Sequence, residues 1–123
     1  MKVRLLAVAR PGERFVEDGI RHYEERLRHY LPYEGRLVAP SALRSPDAGV
    51  RTADEEVRLL KNIAERDTVI LLDERGTGYT SEEFAGLLGK LMGRGAPVLF
   101  IIGGAYGVGD RIKSRAGHTI SLS

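Results

Sequence analysis

The residues with the most chemistry to offer lie late in this chain. Gly103-Gly104-Ala105-Tyr106-Gly107-Val108-Gly109 follows directly on the apolar run Val98–Ile102, and glycines at a strand end let a backbone come close to a ligand. The spacing excludes three familiar loops. A dinucleotide fingerprint needs glycines at relative positions one, three and six, but counting from Gly103 the third and sixth are Ala105 and Val108. A phosphate-cradling loop ends in Gly-Lys-Ser/Thr, which is absent, and no serine stands between glycines as in a nucleophile elbow. The loop therefore suits a ligand that wants main-chain polar groups rather than phosphate neutralisation. The plain reading of the same residues is a tight strand-to-helix turn with glycines at positive φ. A Cβ at Gly104 or Gly107 would hold a ligand off or strain that turn, and a branched side chain at Gly103 is expected to fill ligand space while sparing the core.

Other candidates carry paired readings. Asp73 and Glu74 end the apolar run Val69–Leu72, where a carboxylate can bind a sugar hydroxyl, act as a base, or cap a turn. Tyr106 can stack on a base or pack half-buried. His22 and His29, near Asp18 and Glu25, fall on the wet side of a helix, and His118 starts a strand. Arg14, Arg21 and Arg28 recur every seventh position and could face phosphates, yet the interleaved Asp18 and Glu25 give the pattern of a salt-bridged exposed face. Arg44 and Arg51 flank a loop near Asp47. No Ser, His and Asp set supports covalent hydrolysis, and no metal site is expected.

The elements that must position these residues alternate. Lys2–Val8 reads as a strand; Val16, Ile20, Tyr23, Leu27 and Tyr30 form a helical stripe ended by Pro32. Glu34–Pro40 is a second strand and Ser41–Val50 a loop. Thr52 and Glu55 have capping-box spacing, opening a helix with Val57, Leu60 and Ala64 on one face. Thr68–Leu72 is a third strand, unbroken by polar residues and so covered on both faces. Thr80 and Glu83 repeat the capping-box spacing ahead of Phe84, Leu87, Leu88, Leu91 and Met92. Pro97–Ile102 is a fourth strand, Asp110–Ala116 a short helix and His118–Leu122 a fifth strand. This order predicts an α/β fold: a parallel-rich five-stranded sheet with helices on both faces and a ligand site at the carboxyl ends of the strands, where Asp73, Gly103 and the Ile120–Ser123 segment converge.

Composition sets the outer bounds. With 123 residues the chain is expected to be a single domain, and 42% hydrophobic with 29% charged residues excludes wholesale disorder. A net charge of +2 does not announce nucleic acid. The absence of cysteine excludes a disulfide framework, a thiol nucleophile and cysteine-bound zinc. Val98–Ile102 is too short to span a bilayer, and the first ten residues are strand-like rather than a signal peptide, so a soluble, cytoplasmic protein is expected.

Four segments, in order and at the expected separations, carry a specific resemblance: Leu5-Leu6-Ala7-Val8; Leu72-Asp73-Glu74-Arg75-Gly76 with Thr80-Ser81-Glu82-Glu83-Phe84-Ala85; Phe100-Ile101-Ile102-Gly103-Gly104-Ala105-Tyr106-Gly107; and Ile120-Ser121-Leu122-Ser123. Over essentially its whole length the chain resembles the SPOUT-superfamily, trefoil-knot methyltransferases that modify N3 of a pseudouridine in large-subunit ribosomal RNA. The resemblance implies a SPOUT-like domain over 1–123, S-adenosyl-L-methionine held against Leu72, Gly103, Gly104, Leu122 and Ser123, ribosomal RNA in the ribosome or large subunit as partner, and a homodimer. It implies neither membrane nor DNA. The family pattern continues with a loop, a long amphipathic helix and a short aromatic and basic tail, so the domain is expected to be C-terminally truncated. The knot-completing helix and the family's candidate catalytic groups then fall outside it, and Ile120 and Leu122 should be open to water or to another subunit. A second reading is a non-catalytic truncated α/β remnant that folds or associates but does not methylate; heat on titration with S-adenosyl-L-methionine distinguishes the two.

Overall fold

The computed structural model describes residues 3–10, 12, 18, 21, 25, 33–104 and 106–121, leaving aside the side chains of Tyr33, Glu74 and Ser81. The stripe Val16–Tyr30, His22, His29, Arg14, Arg28, Leu122 and Ser123 lie outside the described residues. Asp18, Arg21 and Glu25 are helical and exposed, as a wet helix face requires.

Five strands form one sheet: β1 (Val3–Val8), β2 (Tyr33–Val38), β3 (Thr68–Gly78), β4 (Val98–Ile102) and β5 (His118–Ser121), in the order β2-β1-β4-β3-β5. Every pairing is parallel. Among the described residues, the helices with defined bounds are α1 (Ala48–Lys61), α2 (Ser81–Gly93) and α3 (Asp110–Arg115). This is the α/β architecture that the alternation of elements predicts. Val98, Leu99, Phe100 and Ile101 of β4 are all wholly buried, and their alternate side chains enter two separate cores. Val98 and Phe100 join Phe84, Leu88 and Leu91 of α2 on one face. Leu99 and Ile101 join Leu59 of α1 and Ile112 of α3 on the other.

Three sequence expectations are corrected. First, α1 starts at Ala48, not at Thr52: Asp47 is its N-cap, its side chain accepting from Gly49 N at 2.8 Å. Thr52 donates to the Gly49 carbonyl instead, and the buried face is Thr52, Glu55, Glu56 and Leu59, while Val57 is exposed. Second, β3 runs past Leu72 to Gly78. Third, Ile120 is 1% exposed and packs in the core with Phe84 and Phe100, so it is not open to water. The second capping box is present: Glu83 N donates to Thr80 Oγ1 and Thr80 N to Glu83 Oε1, at 3.1 and 3.0 Å.

Candidate functional site

The point where β3 leaves the β5 ladder, together with the carboxyl end of β4, builds a cleft. Up to Leu72, β3 is paired with β4 on one side and β5 on the other. Ile120 then pairs with both Leu72 and Thr77, so Asp73–Gly76 is an insertion that leaves the β5 ladder and returns to it. Gly76 makes the return possible, since a Cβ there would stand 2.7 Å from the Thr119 carbonyl. At the start of the excursion, Asp73 Oδ1 accepts from Arg75 N and Nε at 2.9 and 3.2 Å, and Oδ2 from Nη2 at 3.1 Å. The hydrogen-bonded Arg75 side chain holds the Asp73 carboxyl below its ordinary range against the opposing effect of partial burial. Asp73 is therefore a turn-forming anion. Whether Glu74 caps the turn lies outside what is described of its side chain.

The glycine loop is folded on itself. Gly107 N donates to the Gly104 carbonyl at 3.0 Å, and an isolated antiparallel bridge joins the two residues. Gly107 has φ +79°, which glycine adopts without steric cost. Gly103 lacks a Cβ because of the loop itself: one would lie 2.7 Å from the Gly107 carbonyl carbon and 2.9 Å from Val108 Cγ1. This corrects the expectation that a side chain at Gly103 fills ligand space and spares the fold. A Cβ on Gly107 would meet the Arg75 guanidinium at 3.1 Å, so the β3 excursion and the glycine loop touch.

Two buried carboxylates on α1 hold the loop's outer side. Glu55 accepts from Ser41 N at 2.8 Å and Glu56 from Ile112 N at 3.0 Å. Each also fills the space that a glycine leaves, Glu55 Oε1 at 3.2 Å from a Cβ position on Gly104 and Glu56 against Gly109. The apolar stripe reading passed over both. Their signal in the sequence is the spacing Thr52, Glu55, Glu56, Leu59, which is one helix face once the start is placed at Asp47.

The resulting cleft, about 410 Å³, is lined by Leu71, Leu72, Asp73, Arg75, Ile102, Gly103, Gly104, Tyr106, Gly107 and Val108. It falls within the size range of small-molecule sites, with apolar walls and main-chain groups at the strand ends. Three residues anticipated from the sequence, Leu72, Gly103 and Gly104, line it together; Leu122 and Ser123 lie outside the described residues. Tyr106 is 55% exposed, which removes the half-buried reading. Arg44 is exposed, and Arg51 places its guanidinium 5.6 Å from the Tyr106 ring centre. His118 sits at the start of β5, as expected of a sheet-end residue. No group of three metal-ligating side chains occurs, and no helix is long and apolar enough to cross a membrane, among the described residues.

Comparison with known proteins points one way. The family described as predicted SPOUT methyltransferase matches residues 1–123. The chain is 44% identical over 98% of its length to the ribosomal RNA large subunit methyltransferase H of Nitratidesulfovibrio vulgaris, covering 77% of that protein. It is 39% identical to the protein of the same name from Citrifermentans bemidjiense, covering 79% of it, and 36% identical to a putative RNA methyltransferase of Arabidopsis thaliana, covering 64% of it.

Proposed function

The chain belongs to the SPOUT methyltransferase family and is a methyltransferase enzyme, and from that premise we propose that it transfers a methyl group from S-adenosyl-L-methionine to N3 of a pseudouridine in large-subunit ribosomal RNA, in the cytoplasm and as a homodimer. The observation that carries the reading is the convergence of Leu72, Gly103 and Gly104 on one cleft in a chain that matches the family from end to end.

The residues present fit the cofactor. S-adenosyl-L-methionine supplies an electrophilic methyl on a sulfonium and has no phosphate, and the cleft has no lysine among its lining residues. Leu72, Ile102 and Val108 offer apolar walls for an adenine, and the Gly103–Gly104 backbone offers polar groups at close range. Asp73 and Arg75 meet this cleft as an ion pair and so bring no net charge to its edge. Leu122 and Ser123, next along the chain from β5, complete the proposed cofactor set. What these residues do for the reaction is to bind and align; the proton on the attacking imide nitrogen needs an acceptor that none of them is assigned to be.

The test is transfer of tritiated methyl groups from S-adenosyl-L-methionine to purified large subunits, with the product mapped by mass spectrometry of RNA digests. Label on a pseudouridine of the large-subunit RNA is the expected result. Label on another nucleotide would keep the methyltransferase and overturn the target, and heat-silent titration with no label would favour the non-catalytic remnant.

A further inference from the structure

Tyr106 is the most exposed large apolar side chain among the described residues. The Gly104–Gly107 bridge closes the turn that carries it, with Gly107 at positive φ. The ring stands between two clefts. One is the proposed cofactor cleft; the other, about 400 Å³, lies between α1 and α3 and is lined by residues that include Gly49, Thr52, Glu56, Asp110 and Lys113. Arg51 is held over the ring as well: its Nε donates to the Ser45 carbonyl at 2.8 Å while its guanidinium lies 5.6 Å from the ring centre. An aromatic ring with a tethered cation on it, left in water at the lip of a ligand cleft, is a platform awaiting a flat partner.

We propose that Tyr106, backed by Arg51, is the stacking platform for an unpaired nucleobase of the RNA substrate, presented at the mouth of the cofactor cleft. The proposal rests on the reading of the chain as an RNA methyltransferase and adds to it the side chain that seats the substrate. The chemistry selects the partner. A base offers a π-face to the ring, and the phosphates on either side of it are drawn to the positive charge of Arg51 and of exposed Lys113 on α3, which lines the second cleft with Tyr106. A cationic sulfonium cofactor gains nothing from an arginine on the ring. Tyr106 is thus a substrate-binding residue, and Arg51 a positioning residue acting through it.

The test uses a fluorescently labelled, uridine-rich single-stranded RNA of about ten nucleotides, titrated by anisotropy at fixed salt and without S-adenosyl-L-methionine. Tyr106→Ala should weaken binding about tenfold, the scale of one lost base stack. Tyr106→Phe should stay within about twofold, since the ring is kept and no hydroxyl contact is invoked. Arg51→Met should fall between them. Calorimetry with S-adenosyl-L-methionine on the same proteins should show Tyr106→Ala, at a residue that also lines the cofactor cleft, losing less cofactor affinity than RNA affinity, and equal melting temperatures should show that the exposed side chain is not structural. Equal RNA binding by wild type and Tyr106→Ala would overturn the proposal, as would no RNA binding by wild type. Lost cofactor affinity with unchanged RNA binding would assign the ring to the adenine instead and also overturn it. Cofactor-silent wild type that still shows the Tyr106 effect on RNA would count against the methyltransferase mechanism and leave the platform standing.

Discussion

Gly103→Ala is the substitution that separates a loop shaped by its ligand from a loop shaped by itself. The added Cβ would sit 2.7 Å from the Gly107 carbonyl carbon, 2.8 Å from its oxygen and 2.9 Å from Val108 Cγ1. Two of those atoms are backbone, so relief requires the Gly104–Gly107 turn to move and not just a side chain to swing. Overpacking of this kind costs about 1–3 kcal/mol. For a chain of this size that corresponds to a melting temperature lower by roughly 3–12 °C. The same movement shifts the main-chain groups proposed to face the cofactor, so S-adenosyl-L-methionine affinity should fall along with stability. Thermal denaturation and titration calorimetry on purified Gly103→Ala read the two effects separately. An unchanged melting temperature with lost affinity would return to the simpler idea that the side chain merely occupies ligand space. An unchanged protein by both measures would refute the loop geometry altogether.

Four further outcomes are expected. Gly86→Ala, in α2 where an added Cβ meets nothing within 4 Å, should raise stability by about 0.5–1 kcal/mol in urea denaturation. Thr80→Ala should cost about 1 kcal/mol by removing the acceptor for Glu83 N; and because the hydrogen bonds from Thr80 hold the Glu83 carboxyl below its ordinary range, as Arg75 holds that of Asp73, both contributions are complete above the ordinary carboxylate values and are lost as pH falls through the lowered ones. Asp73→Asn should therefore flatten the acid limb of the stability profile measured by denaturation across pH. Glu56→Ala should destabilise by about 1–3 kcal/mol, since it strands the buried amide of Ile112, whereas Glu56→Gln, which keeps an acceptor, should recover much of the loss in the same melt.

What could be read from the sequence follows physical lines. The parallel strands are legible because a strand covered on both faces is apolar without alternation, as in Val69–Leu72 and Val98–Ile101. The α2 start is legible because the Thr80 and Glu83 capping box is a local reciprocal hydrogen-bond pair. The same spacing at Thr52 and Glu55 misleads, because Thr52 donates to the Gly49 carbonyl inside the helix while Glu55 is turned inward by long-range partners: it meets Ser41, fourteen residues earlier, and a Gly104 that no local pattern connects to it. Burial of two glutamates is likewise invisible to an apolar stripe, since their compensation comes from backbone amides of distant segments. The excursion of β3 at Asp73–Gly76 is hidden for the same reason; it is defined by where Ile120 pairs, not by Asp73 or Gly76 alone. Of the candidate site, the glycine loop and the end of β3 could be read directly, whereas Arg75 as the link between them could not.

The central claim is that the cleft where β3 leaves the β5 ladder, beside the carboxyl end of β4, is the S-adenosyl-L-methionine site. The most direct measurement is an NMR titration of the isotopically labelled chain with S-adenosyl-L-methionine, following backbone amides and leucine and isoleucine methyls. Saturable shifts concentrated at Leu72, Asp73, Ile102, Gly103, Gly104 and Gly107, with the far ends of β1 and β4 unmoved, are the predicted result. Saturable shifts centred elsewhere, or none with the cofactor at millimolar concentration, would contradict it.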